Sequence, residues 1–404
     1  MDWKTEKLSD VCAEITTGGA APQGDAFFSA DGVPFVRVYD MGQLNSEKYI
    51  VKTKDSVNEK GAARLRLFPA GTVLFTKSGA SLLLNQRAIL KTPMYVVSHI
   101  GCLIPNEQVI TKWLYYWMKT IDFGKYAHAT TLPSLKLTTL KDITIPVPSL
   151  AEQERIVSRI EELFSQLDAG VETLKKTKAQ LAVYRQAVLK EAFEKEIEKY
   201  PYKEYPLKDL VVKDSGLRRG PFGGAIKKSC FVPSGYKVYE QGNAINNTVL
   251  YGKYYISEQK YQEMQSFSVL PHDLLVSCSG TLGRITELPD DAPAGIINQA
   301  LLRIRLNRDL VSTNYFIEYF RSGIFQKRIV EKSQGSAMVN LVSIREFKEI
   351  KLNIPEMQYQ PLLLSFISEK LSVCDSIEQT VDAALQQANA LRQSILKQAF
   401  EGGL

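Results

Sequence analysis

Side chains that could act in catalysis or bind a metal are few and scattered. The three histidines, His99, His128 and His272, lie at no helical spacing from one another or from a glutamate, so no metal site is predicted. No GxxxxGK[ST] loop is present to cradle a phosphate. Pro289-Asp290-Asp291 begins like a nuclease site, but no suitably placed E-x-K follows, and an exposed turn is the better interpretation. We therefore predict a chain without a catalytic or metal site.

Two Ser-Gly pairs are the remaining candidates for chemistry. Ser78-Gly79 and Ser279-Gly280 each follow an apolar strand and occupy matching places in the two halves of the chain. Each pair is either a hairpin turn or a loop whose backbone approaches a phosphate closely. The glycine-rich run Gly220–Gly224 lacks the spacing of a dinucleotide-binding loop, so a turn is predicted there.

Composition indicates a globular protein. The sequence has 404 residues, of which 45% are hydrophobic and 23% charged. No apolar run is long enough to span a bilayer, and the N-terminal MDWKTEKLSD lacks the apolar core of a signal peptide. The five cysteines are scattered without a CxxC pair, which indicates a reducing compartment. We expect a cytoplasmic protein with no membrane segment.

The elements that position these loops are repeated along the chain. RQAVLKEAFE at Arg185–Glu194 returns as RQSILKQAFE at Arg392–Glu401, and the match extends upstream without a gap, at an offset of 207, as far as Ile143. Further upstream the offset drifts while the order holds, and VYDMG at Val38–Gly42 matches VYEQG at Val238–Gly242 at an offset of 200. The chain is therefore predicted to contain two copies of one module.

Each copy is predicted to have a globular domain followed by a long helix. Short apolar runs broken by Gly and Pro predict strands and loops, with one helix near Trp113–Thr120 and another near Tyr315–Ser322. Ser149 and Glu152 have the spacing of a capping box at a helix start. The predicted boundaries are 1–148 and 200–354 for the globular domains, and 149–199 and 355–404 for the helical regions.

Apolar residues in both helical regions recur at alternating steps of four and three. A period of 3.5 predicts a coiled coil, and because neither seam is apolar throughout, each helix is expected to pair with the other. The predicted seam residues are Ile156, Ile160, Leu163, Leu167, Leu174 and Leu181, with Leu363, Ile367, Cys374, Ile377, Val381, Leu391 and Ile395. We predict an α+β fold in which two duplicated domains are joined by a long antiparallel two-helix coiled coil with pseudo-twofold symmetry.

Positive charge is concentrated in the globular domains. Residues 150–199 and 356–404 together contain 12 Lys+Arg and 16 Asp+Glu, which leaves 38 and 28 for the rest of the chain. Two basic domains suit a ligand with two repeats of negative charge, and duplex DNA is the obvious candidate. A generic solvated surface is the alternative interpretation of the same charge.

IPVPSLAEQERI at Ile145–Ile156, with the helix after it and QAVLKEAFE at its end, resembles the specificity subunit of Type I restriction-modification systems. The resemblance covers the full chain. The segments that resemble recognition-domain motifs of the family are GPFGGA at Gly220–Ala225, YKVYEQGNAI at Tyr236–Ile245, SGTLG at Ser279–Gly283 and INQALLRIR at Ile297–Arg305. The family's Pro-Pro-Leu-x-Glu-Gln reads PSLAEQ at 148–153 and PEMQYQ at 355–360, so contacts of these segments with partner subunits are expected to differ.

The resemblance implies a non-enzymatic subunit with two target-recognition domains and two conserved helical regions. It implies binding to double-stranded DNA at a bipartite site, and partnership with two modification (methyltransferase) and two restriction (endonuclease and translocase) subunits. S-adenosylmethionine, ATP and Mg would be used by those partners, and no cofactor is expected in this chain. The competing hypothesis is a coiled-coil scaffold whose globular ends bind other proteins.

Base-reading side chains are expected in the loops of the globular domains, where Arg, Lys, Asn and Gln can reach base edges. The candidates in the first domain are Arg37, Lys77, Asn85, Gln86 and Arg87. Those in the second are Arg218, Arg219, Lys227, Lys228, Gln241, Asn243, Arg284, Asn298 and Gln299. The helices are predicted to act as a ruler of about 69 Å at 1.5 Å per residue, which sets the spacing of the two half-sites.

Overall fold

The computed structural model describes residues 3–42, 48–126, 133–331 and 340–404. The chain divides into two compact units. Unit 1 comprises Met1–Leu174 with Asp382–Leu404, and unit 2 comprises Lys175–Val381. Each unit therefore contains one globular domain and a segment of each long helix.

Two helices are far longer than the rest. They are Leu150–Glu194, with 45 residues, and Gln360–Phe400, with 41. The α-helices of the described chain, in order, are α1 Leu8–Val11, α2 Glu59–Ala62, α3 Thr111–Thr120, α4 Leu137–Lys141, α5 Leu150–Glu194, α6 Gln241–Ile245, α7 Glu258–Glu263, α8 Thr313–Arg321, α9 Gly323–Ile329, α10 Ile344–Glu349 and α11 Gln360–Phe400. Half of the predicted capping box forms at α5, because Ser149 Oγ accepts the N–H of Glu152 at 3.3 Å whereas the Glu152 carboxylate binds Arg155.

The described strands of unit 1 form three sheets. They are β1 Lys4–Lys7, β2 Cys12–Thr17, β3 Phe28–Val36, β4 Tyr49–Ile50, β5 Asp55–Val57, β6 Leu67–Phe68, β7 Val73–Thr76, β8 Arg87–Leu90, β9 Met94–Val96, β10 Ile100–Pro105 and β11 Thr144–Val147. The sheet orders are β2-β10-β7-β8-β4, β5-β3-β9-β6 and β1-β11. In the last of these the first strand of the domain pairs antiparallel with the strand that leads into α5.

Unit 2 is built on the same plan. Its strands are β12 Tyr202–Pro206, β13 Leu217–Arg219, β14 Phe231–Val232, β15 Tyr236–Tyr239, β16 Tyr255–Ile256, β17 Leu274–Ser277, β18 Ile285–Glu287, β19 Gly295–Ile297, β20 Leu301–Ile304, β21 Val330–Glu331, β22 Asn340–Leu341 and β23 Lys351–Pro355. The sheet orders are β13-β20-β17-β18, β14-β16-β15-β19, β12-β23 and β21-β22. Strand β12 pairs antiparallel with β23, which leads into α11. The prediction of a duplicated α+β chain is confirmed.

The structure corrects one predicted match between the copies. The letters of VYDMG and VYEQG do not occupy equivalent places, because Val38–Asp40 is a 3-10 turn after β3 whereas Val238 lies within β15. The parallel pairing of β3 with β9 and of β15 with β19 makes Val36 and Tyr239 the equivalent strand ends. The register between the two copies is decided by which strand residues are buried. The shared letters Val-Tyr do not show this.

A buried glutamine fastens the start of each long helix to its globular domain. Gln153 Oε1 accepts the N–H of Ile110 at 2.9 Å, and its Nε2 donates to two carbonyl oxygens at 2.8 and 3.0 Å. Gln360 repeats the pattern, with Oε1 accepting the N–H of Ser312 at 2.7 Å and Nε2 donating to carbonyls at 2.9 and 3.0 Å. Both side chains are fully buried, so these two glutamines hold the start of each long helix to its globular domain.

Replacing Gln153 with leucine is expected to destabilise unit 1 by about 2–4 kcal/mol, because one N–H and two carbonyls lose their partners in a buried place. Gln360→Leu is expected to do the same in unit 2. Urea denaturation monitored by circular dichroism would measure both effects, with the exposed Gln379 replaced by leucine as the control. A change below about 0.5 kcal/mol in both glutamine variants would contradict the structural role.

The repeated phrase completes a core in each unit. In unit 1 Leu396 and Ala399 are buried, and the ring centroid of Phe400 lies 4.5 Å from that of Trp113. In unit 2 Phe193 lies 5.5 Å from Tyr315 in the same way. Each long helix thus begins beside the globular domain that precedes it in sequence and ends in the core of the other unit.

The seam between the helix segments differs in part from the prediction. Buried or half-buried residues still recur at steps of four and three, but Ile377 is 38% and Leu391 50% exposed, so these two are wrong as seam residues. Their neighbours Glu378 and Arg392 are less exposed. The other predicted seam residues, listed in the sequence analysis, are buried or half-buried.

Matching ion pairs join the helix segments within each unit. Arg185 binds Asp375 and Glu378 in unit 2, and Arg392 binds Asp168 in unit 1. Arg185 and Arg392 are the first residues of the two copies of the ten-residue phrase, which lie 207 positions apart. In unit 2 Lys370 also pairs with Glu191, so residue numbers rise along one segment as they fall along the other, and the packing is antiparallel.

Candidate nucleic-acid interface

A glycine brings two strand ends into backbone contact in each unit. A Cβ at Gly220, after β13, would lie 1.8 Å from the carbonyl oxygen of Asn298, and one at Gly18, after β2, would lie 2.0 Å from that of Val96. Only glycine permits such an approach. The loop after β13 therefore meets the loop after β19 in unit 2, and the loop after β2 meets the end of β9 in unit 1.

The two Ser-Gly pairs lie in turns after β7 and β17. The buried hydroxyls of Thr76 and Ser277, at the ends of these strands, each donate to a carbonyl within the following loop, at 2.8 and 2.5 Å. Gly79 and Gly280 have φ values of 73° and 65°, and no atom lies within 4 Å of where a Cβ would stand. Both turns are therefore open on one side, and a phosphate contact there stays a prediction.

Five candidates in unit 2 are exposed. They are Arg218, Lys227, Lys228, Arg284 and Gln299. Arg218 Nη2 donates to Ser266 Oγ at 2.8 Å, and its guanidinium lies 4.6 Å from the Phe267 ring centroid. Within the described part of the chain, Lys227, Lys228 and Arg284 form no ion pair, so their charges are available to an anionic ligand.

The remaining candidates in unit 2 are more enclosed. Arg219, Gln241 and Asn298 are half-buried, and the Asn298 side chain accepts the N–H of Ala300 at 3.0 Å. Asn243 is fully buried; its Oδ1 accepts the N–H of Glu240 and its Nδ2 donates to two carbonyls at 2.9 and 3.1 Å. Because all its polar atoms are engaged, the prediction that Asn243 reads a base is wrong.

Arg37 in unit 1 is compensated by a carboxylate. It pairs with Asp55 at 2.5 Å, and its guanidinium lies between 5 and 6 Å from the rings of Phe28 and Phe35. Lys77 and Gln86 are half-buried on the loop after β7, where Gln86 lies against Gly42. These three side chains reach the surface, and their contact with bases stays a prediction.

Asn85 and Arg87 support the loop after β7 from beneath. Arg87 is buried, donates to the carbonyls of Gln86 and Met118, and lies 4.0 Å from the Phe123 ring centroid. Burial lowers the pKa of Arg87 to about 9. Asn85, with φ of 50°, donates to the carbonyl of Lys119 at 3.0 Å. The prediction that Arg87 reads a base is therefore wrong, because its donors hold the loop to the end of α3.

Exposed apolar side chains at these loops were missed by the sequence reasoning. Phe222 is 76% exposed two residues after Gly220, and Leu83 and Leu84 are exposed at the tip of the loop that Arg87 supports. The sequence signal was available only for Phe222, since an aromatic residue flanked by Gly and Pro in a turn has little core to enter.

Two kinds of site are absent from residues 3–42, 48–126, 133–331 and 340–404. No group of His, Cys, Asp and Glu side chains in these ranges is arranged to hold a metal ion. No helix in them is long and apolar enough to cross a membrane. His128 lies outside the described residues.

The fold and its loops define a duplicated α+β module mounted on paired helices. The family model described as "Type I restriction modification DNA specificity domain" matches residues 1–182 and 201–387. The chain therefore belongs to the family of Type I restriction-modification specificity subunits, as its sequence resemblance predicted.

Two known relatives share low identity with the chain, one over nearly its whole length and the other over less than half of it. The Type I restriction enzyme EcoBI specificity subunit of Escherichia coli is 23% identical over 98% of this chain and 85% of its own length. The MjaIX specificity subunit of Methanocaldococcus jannaschii is 29% identical over 43% of this chain. That match covers 40% of the length of the MjaIX subunit. A solved structure described in work on complex assembly of the type I R-M system matches with a TM-score of 0.69 and 17% identity, over 100% of this chain and 98% of that one.

Proposed function

We propose that this chain recognises a bipartite site in double-stranded DNA, one half-site with each globular domain. The observation that carries the proposal is a glycine-pinned loop in both units, with the unpaired cations Lys227 and Lys228 further along that loop in unit 2. Lys227, Lys228 and Arg284 are long, exposed and without ion pairs among the described residues, as phosphate contacts require. Membership of the specificity-subunit family supports the same assignment.

The chain directs modification and restriction subunits to the site and performs no chemistry itself. Adenine methylation with S-adenosylmethionine, and cleavage with ATP and Mg, are assigned to those partners. Exposed apolar side chains on the helix segments suit such partners: Val183 and Val373 in unit 2, and Leu391 in unit 1. An apolar side chain exposed on a paired helix is a position where a further helix can pack.

Salt titration of DNA binding tests this proposal. The complex of the chain with its modification subunits is expected to bind duplex DNA with an affinity that falls steeply as salt rises, because each phosphate contact releases counterions. The double variant Lys227→Ala, Lys228→Ala is expected to flatten the log–log slope by about 0.9 per lost contact and to weaken binding about tenfold. Filter binding against random duplex at several salt concentrations measures both quantities.

The matched control removes two exposed lysines of the same unit away from the loops. Lys203 lies on β12 and Lys208 in the turn after it, so Lys203→Ala with Lys208→Ala is expected to leave the slope unchanged. A flat salt response of the unmodified complex would sink the proposal and favour the coiled-coil scaffold. Equal slopes for both double variants would remove Lys227 and Lys228 from the interface.

A further inference from the structure

Phe222 is held out into solvent by a rigid base. Gly220 is pinned against the carbonyl of Asn298, and its N–H donates to the carbonyl of Leu301 at 2.8 Å. Pro221, which follows, is buried and has a fixed φ. Phe222 itself is extended, at φ −89° and ψ 158°, and is 76% exposed. The backbone that carries this ring therefore has little conformational entropy to lose when the ring meets a ligand.

One cation lies beside the exposed ring, and two more follow on the same loop. The Arg219 guanidinium carbon lies 5.8 Å from the ring centroid of Phe222. Arg219 forms no ion pair within the described residues, and its buried Nε has no hydrogen-bond partner among them. Lys227 and Lys228 are exposed a few residues further along the same loop. An apolar ring with unpaired cations on the same loop matches a nucleic-acid ligand, which presents apolar base faces between phosphates.

At the equivalent place, the described part of the first domain carries no aromatic ring. Gly18 occupies the place of Gly220, being pinned against a strand-end carbonyl in the same way. Two residues further on, the exposed Ala20 stands where Phe222 stands in the second domain. A ring at this place is therefore a feature of the second domain alone.

We propose that Phe222 is an apolar wedge that presses between two base pairs of the DNA bound by the second domain, while Arg219, Lys227 and Lys228 contact the flanking phosphates. The inference rests on the proposed function and adds a distorted base step to one half-site. A wedge of this kind unstacks a base step, and the sequence that unstacks most easily is preferred. The ring thus contributes to specificity without a hydrogen bond to any base.

The test uses the chain in complex with its modification subunits and duplexes that carry the site found by sequencing methylated cellular DNA. A 2-aminopurine is placed in turn at each position of the site. The unmodified complex is expected to raise the 2-aminopurine fluorescence at one base step, and the Phe222→Ala complex is expected to leave that step dark. Phe222→Ala is also expected to bind the site about 10- to 100-fold more weakly. Phe222→Leu is expected to retain most of the signal, because leucine also serves as a wedge.

Two controls separate the possible failures. Leu250→Ala removes an apolar side chain of the same unit that is 85% exposed, and is expected to change neither signal nor affinity. The salt slope of Phe222→Ala is expected to match that of the unmodified complex, because the phosphate contacts remain. Full affinity and an unchanged fluorescence pattern in Phe222→Ala would overturn the wedge while leaving the proposed function intact. Loss of subunit assembly with normal DNA binding would assign the ring to a protein partner and overturn it equally.

Discussion

A fragment of residues 1–199 is expected to form a stable homodimer. Unit 1 is completed by residues 382–404, where Leu396 and Ala399 are buried and Phe400 packs on Trp113. The fragment lacks these residues but carries their equivalents, Leu189, Ala192 and Phe193, in RQAVLKEAFE. One copy can therefore insert its helix end into the core of a second copy and receive that copy's helix end in return. The exchange completes both cores.

The expected result is a particle of twice the fragment's mass in size-exclusion chromatography with light scattering. The matched control is a fragment of residues 1–174, which lacks the phrase and leaves the groove beside Trp113 open. Each large apolar side chain that is not buried there costs about 1.5–3 kcal/mol, so this shorter fragment is expected to unfold or aggregate. A monomeric 1–199 fragment as stable to heat as the full chain would contradict the exchange. Under the proposed function, the dimer would direct methylation to a site in which the first half-site occurs twice.

The duplication and the long helices could be predicted because their signals are long and periodic. The seam could be predicted only in part. Steps of four and three fit two neighbouring stripes of residues on the same helix, and every second residue belongs to both stripes. Leu391 and Arg392 illustrate the choice: hydropathy favours the leucine, whereas the ion pair of Arg392 with Asp168 draws the arginine inward. A pairing between residues more than two hundred positions apart carries no local signal.

The candidate site was less predictable than the fold. Arg87 and Asn243 have the residue types that read bases, but both are buried and bound to backbone carbonyls. Residue type reports what a side chain can bind and not whether it is buried, and all four residues of β8, Arg87 included, are buried. Phe222 was missed for the opposite reason, because apolar residues are assigned to cores unless a structure shows them exposed.

Removing one heptad from both long helices is expected to shorten the spacer of the DNA site by about three base pairs. Seven residues of helix span about 10 Å at 1.5 Å each, and DNA rises about 3.4 Å per base pair. The deletions are best placed at residues 173–179 and 380–386, which are equivalent at the offset of 207. The ion pairs of Arg185 with Asp375 and of Arg392 with Asp168 lie outside both deletions and keep their register.

The matched control removes two residues from each helix in place of seven. Two residues turn the following helix by about 200°, which carries the buried seam to the solvent side, and this variant is expected to lose folding or assembly. A heptad removed from one helix alone places Arg185 and Asp375 seven residues out of register and is expected to destabilise the pair as well.

The measurement is the methylated motif in cells that express each variant with its partner subunits. Because the prediction assigns the spacer to helix length and to no base contact, both half-sites should keep their sequence while only the gap between them shrinks. Full activity at the original gap would show that another element sets the distance.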